Sequence, residues 1–220
     1  MLTKREAAKQ RALLERVMTV VARDGFQQLT MNQLITIMGV SRRTAYKYFS
    51  SKEAVIKAVV DVYQTYINDF DLPKLDGDDA NFFRQFQLLF DQSLTIARTV
   101  SPVFLADLHQ ADEALARNLQ DVLAAQQQQA VFYYQTGVTR GLFRDYNWDV
   151  LLLQDQTMIR ALLDQQFLLR HDITLTGALM TYYEMKKVQL LQPEQLAVID
   201  DQPVRLIIEY FVNEYQRTFL

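Results

Sequence analysis

Apolar residues recur every three or four positions along almost the whole chain, and no clear run alternates apolar and polar residues at strand period. The pattern predicts an all-α fold. A first helix is expected near 4–24. There Thr3 and Glu6 form a capping box, and Leu14, Val17, Met18, Val21 and the smaller Ala22 form one stripe. Gly25 follows as the C′ residue. Thr30 and Gln33 cap a short helix bearing Leu34, Ile35 and Met38, which Gly39 stops. Ser41 caps a second short helix, Arg42 to Tyr48. Ser50 with Glu53 reads as another capping box. It opens a longer helix whose broad face carries Val55, Ile56, Val59, Val60, Tyr63, Tyr66, Ile67 and Phe70.

The segment DLPKLDGDDAN, 71–81, holds Pro73, Gly77 and four aspartates, which suit turns and caps. A domain junction is placed there or slightly before it. The reading is a helix-turn-helix domain over 1–50, a bridging helix over about 51–70 and a helical domain over 71–220. In the latter, Phe82, Phe83, Phe86, Leu89, Phe90 and Leu94 mark a helix, and Ser101-Pro102 starts another. A long helix is expected over 112–140, ended by Gly141. Asn147 caps a helix from Trp148 into the 160s, another covers 173–191, and the last follows Pro203.

Composition changes the picture through charge. The net charge is −3, yet residues 1–60 carry eleven Lys/Arg against four Asp/Glu, a surplus of +7. Residues 61–220 carry 12 against 22, a balance of −10. A basic N-terminal module attracts phosphate backbones, and an acidic remainder repels them. There is no cysteine, so disulfides and thiolate metal sites are excluded. His109 and His171 are far apart and lack carboxylates at ligand spacing, so no metal is expected. No nucleophile elbow, phosphate loop, dinucleotide fingerprint or HExxH motif is present, so neither an enzyme nor a cofactor is expected. No apolar run reaches the ~20 residues of a membrane helix, and the N-terminus lacks the apolar core of a secretory signal. A cytoplasmic protein with no membrane partner is the expectation.

Two short helices around a turn glycine form a helix-turn-helix pattern. The first braces the second, and the second projects Arg42, Arg43, Thr44, Tyr46, Lys47 and Tyr48. Arginine reads guanine by two hydrogen bonds, and Thr and Tyr reach bases or phosphates. Lys52, in the first turn of the next helix, suits a phosphate oxygen. The candidate DNA contacts are therefore Thr30, Asn32, Arg42, Arg43, Thr44, Tyr46, Lys47, Tyr48 and Lys52. One of Tyr46 and Tyr48 is expected to be half-buried, with its hydroxyl exposed.

The first helix, T-x-x-x-L/I-x-x-x-x-G-V-S, the tyrosine in the second short helix and F-x-S-K-E resemble the DNA-binding domain of TetR-family transcriptional regulators. The resemblance covers about residues 5–60. It departs at Arg43-Thr44-Ala45-Tyr46, where members often carry Gly-Thr-Leu-Tyr. It implies that Thr44, Tyr46 and Lys52 contact phosphate, and that Asn32, Arg42, Arg43, Lys47 and Tyr48 stand where contacts vary. It also implies a helical second domain for effector binding and dimerisation. In that domain only the helical pattern, the length and GLFRDYNWD agree.

The resulting expectation is a homodimeric regulator, a repressor in its simplest form, that binds a palindromic operator and answers to a small-molecule effector. Its rivals are a DNA-bound interaction protein answering to a protein partner and a helical enzyme. Two apolar stripes, one over 148–170 with Leu152, Ile159 and Leu163, the other over 203–220 with Val204, Ile208, Phe211 and Tyr215, are the candidate dimer interface. The competing possibility is that one stripe packs inside its own chain.

Overall fold

The computed structural model describes residues 4–69 and 78–219. Thr3, Phe70 and most of the 71–81 connection lie outside the described residues. Among the described residues the chain is all-α, with no named strand. Its helices are α1 Lys4–Asp24, α2 Met31–Met38, α3 Arg42–Tyr48, α4 Lys52–Asn68, α5 Asp79–Thr99, α6 Pro102–Ala111, α7 Glu113–Thr139, α8 Trp148–Leu162, α9 Gln165–Arg170, α10 Leu175–Leu190 and α11 Gln202–Phe219.

The helix ends follow local chemistry. Thr30 accepts from the Gln33 N–H at 3.3 Å while Gln33 Oε1 accepts from the Thr30 N–H at 2.8 Å, a reciprocal capping box. Ser41 accepts from the Thr44 N–H, Ser101 from Phe104 and Asn147 from Val150. The box expected at Ser50 moves by one residue: Ser51 caps α4, accepting from the Ala54 N–H at 3.3 Å. Both residues are serines, and only the backbone path out of Phe49 decides between them. The short α9, capped by Asp164, has no counterpart in the sequence reading.

The chain divides into two compact units, and the division differs from a single cut near 71–81. Unit one comprises residues 1–69, 99–123 and 218–220; unit two comprises 70–98 and 124–217. Unit one packs α1 to α4 around Leu14, Val17, Val21, Leu34, Ala45, Val55 and Val59. It also takes in α6, whose Phe104 and Leu108 are fully buried. The Phe104 ring lies 5.3 Å from Tyr63, edge-on, and 5.7 Å from Phe26. The Tyr63 hydroxyl donates to the Met18 carbonyl at 3.2 Å, so the buried phenol is satisfied.

Unit two has an aromatic core. Phe82 stacks on Tyr133 at 4.5 Å, Tyr134 stacks on Trp148 at 5.4 Å, and Phe90 meets Tyr183 edge-on. Both candidate dimer stripes belong to it. Ile159, Val204 and Ile208 have no exposed surface, Phe211 and Leu152 are buried, and Leu163 and Tyr215 pack against the same cluster. These stripes therefore fill their own chain, α8 and α11 alike, because the aromatic layer of α5 and α7 needs covering on more than one side. What the two helices leave exposed is a different set: Val150, Leu153 and Met158 on α8, Leu206 and Tyr210 on α11.

Candidate nucleic-acid interface

α3 is seven residues long and fixed from below. Ala45 has no exposed surface, and Phe49 just beyond the helix is 1% exposed. The opposite side is open. Arg42, Arg43, Tyr46 and Lys47 are exposed, while Thr44 and Tyr48 are half-buried. Tyr48 is thus the half-buried tyrosine, its ring 6.4 Å from Phe49. Thr30 and Asn32 are exposed at the start of α2.

Two cations do not stand as the sequence suggested. The Lys47 ammonium meets the Glu6 carboxylate of α1 at 3.0 Å, and this partner holds its proton more tightly than usual. The pair is solvated, so it releases at little cost. Lys52 is more committed. Its ammonium donates to the Gln27 carbonyl at 2.9 Å and lies 5.7 Å from the Phe26 ring. The first turn of α4 leans against the turn after α1, which is why this lysine points inward.

Unit two carries polar groups that the sequence reading passed over. Asp155 and Lys186 form an ion pair with no exposed side-chain surface, and the Tyr182 hydroxyl donates to Asp155 at 2.7 Å. Burial opposes the charge on Lys186, but the adjacent carboxylate outweighs it and raises its proton affinity. Lys187 pairs with Asp201, which also accepts from the Tyr183 hydroxyl at 3.0 Å. Asp155 stands at the core-facing spacing of Leu151, Leu152, Ile159 and Leu162. His109 sits 2.8 Å from the Gln120 amide and His171 beside Phe167, and no cluster of metal-ligating side chains occurs among the described residues.

A short, capped, basic helix held on a second short helix by a turn in the left-handed region defines a helix-turn-helix protein. Residues 13–59 match the family described as bacterial regulatory proteins, tetR family. This is a family of regulatory proteins and not of enzymes. The chain is 27% identical over 93 residues to the uncharacterised HTH-type transcriptional regulator YvdT of Bacillus subtilis. That match takes in 42% of this chain and spans about half, 47%, of the relative. Solved structures share the fold across most of the chain. The TetR family protein CprB of S. coelicolor A3(2) is 15% identical, with 97% of this chain and 100% of that one covered and a TM-score of 0.57. A TetR transcriptional regulator from Chloroflexus aurantiacus is 16% identical, covering 86% and 99%, with a TM-score of 0.56. A transcriptional regulator from Saccharomonospora viridis, solved in complex with choline, is also 16% identical, covering 84% and 99%, with a TM-score of 0.55.

Proposed function

We propose that the protein is a transcriptional regulator, acting as a repressor, that binds a palindromic operator as a homodimer and is released by a small-molecule effector. The observation that carries the DNA-binding part is the open face of α3: Arg42, Arg43 and Tyr46 project from a helix that Ala45 and Ser41 hold in place. Arg42 and Arg43 would read base edges or clamp the backbone. Thr44, Tyr46 and Tyr48 would contact phosphate from the flanks, and Thr30 and Asn32 from the start of α2. Lys47 would exchange Glu6 for a phosphate.

A seven-residue helix reads few base pairs, so two copies, ~34 Å apart on successive turns of the groove, would supply the affinity. The outward apolar residues of α8 and α11, Val150, Leu153, Leu206 and Tyr210, are the surface we assign to that pairing. Unit two would receive the effector. Two clefts there, of about 370 and 320 Å³, share Arg84, Gln87, Asp200 and Pro203. An effector shifts the DNA-binding equilibrium only by its differential affinity for the two states.

Selection of bound sequences from a random DNA pool tests the reading. The expected product is an inverted repeat. A folded Arg42→Ala, Arg43→Ala double variant should bind it more weakly by ~1–3 kcal/mol per base-reading arginine and with relaxed preference at the contacted positions. Wild-type affinity in that variant would remove these arginines from the interface.

A further inference from the structure

We infer that Asp107, on α6, is a positioning residue for DNA binding, which with Lys52 and Gln110 clasps the turn that leads from α1 into the helix-turn-helix. The inference rests on the DNA-binding reading of α3. Gly25 ends α1 at a φ of +75°, and a Cβ there would lie 2.4 Å from Asp107 Oδ2. The absence of a side chain lets the carboxylate reach the backbone. Asp107 Oδ2 accepts from the Phe26 N–H at 2.5 Å and from the Gln27 N–H at 2.8 Å. Successive N–H groups converging after a left-handed residue form a concavity that favours an anion.

Gln27 is then held at three of its polar groups. Its N–H goes to Asp107, its carbonyl accepts from Lys52 at 2.9 Å, and its side-chain amide donates to Gln110 Oε1 at 2.5 Å. The holders come from α4 and α6, not from the helices that the turn connects. Thr30, the cap of α2, follows three residues later, and α3 follows α2 after Gly39. The direction in which α2 and α3 leave α1 is therefore set by groups more than 20 residues away. A bare turn would leave α3 free to tilt, and an arginine tilted out of reach of its base weakens binding as much as an arginine removed. On this reading Lys52 acts through Gln27 and not through phosphate.

The experiment uses the full chain and an operator selected with the wild-type protein. Asp107→Ala removes a charged acceptor shared by two N–H groups and should weaken operator binding ~10-fold or more. Asp107→Asn keeps an oxygen acceptor and should restore binding to within ~3-fold of wild type. Lys52→Ala should weaken binding with an unchanged salt slope, whereas removing a phosphate-binding charge lowers the slope by about one unit. In Asp107→Ala the amides of Phe26 and Gln27 should exchange hydrogen faster while those in the middle of α1 do not. Should Asp107→Ala fail to fold, Asp107→Ser, a smaller polar side chain without the charge, should still weaken binding by ~3-fold. If wild-type protein selects no sequence, the DNA-binding reading falls and the positioning role with it. If it selects one and Asp107→Ala, or Asp107→Ser in its stead, binds with wild-type affinity, the positioning role alone falls. A reduced salt slope in Lys52→Ala removes Lys52 from the clasp.

Discussion

Asp91, on α5, shows what one half-buried charge does when its partner is too weak. Burial pushes its carboxyl up to about 6, and Arg98 offsets this only in part. The folded-state value lies above the ordinary 3.8, so the folded protein binds this proton more tightly than the unfolded chain. Stability therefore falls as pH rises from ~4 to ~6, and the penalty is complete above that window. Asp91→Asn should stabilise the protein by on the order of 1–3 kcal/mol at pH 7.5 and by almost nothing at pH 4, read from urea midpoints at both pH values. Asp155 illustrates the other outcome. Its buried carboxylate faces Lys186 and the Tyr182 hydroxyl, so its charge is answered inside the core.

At the scale of elements, the turn between α2 and α3 depends on Gly39, whose φ of +70° favours glycine. Gly39→Ala should destabilise unit one by ~1–2 kcal/mol, because an L side chain in that region meets its own backbone. A Cβ there would also come within 2.7 Å of Arg16 Nη1, a flexible end that swings aside. Asn, which tolerates the region better, should cost less, and thermal unfolding of the two variants measures the difference. Such elements were largely legible in the sequence. α3 runs from Arg42 to Tyr48 as its cap and period dictate, because Ser41 and Gly39 act within a few residues. The open face of α3 was legible for the same reason. Two things were not. Asp107 reaches Phe26 across 81 positions, and no local period encodes that hydrogen bond. The buried Asp155 and Lys186 were hidden because an isolated charge in a helix normally marks the solvated side, and only their pairing across α8 and α10 reverses it.

For the whole molecule, the burial of Ile208 and Phe211 separates folding from pairing. A Leu206→Glu, Tyr210→Glu double variant should sediment as monomers, keep its helix content and lose operator affinity. Ile208→Glu should instead unfold unit two, since a carboxylate there has no water and no counter-charge. Equal sedimentation of the double variant and wild type at micromolar concentration would place the pairing surface elsewhere. The division of the chain also bears on how specificities could be exchanged between relatives. Because residues 99–123 return to complete the first unit, a crossover placed just after α4 would transplant a reading head without Phe104, Leu108 and Asp107. The recipient would have to supply matching side chains at those positions by chance. Grafted as two pieces, 1–69 together with 99–123, the head carries its own floor, and recombination that respects those borders preserves its aim on a new operator.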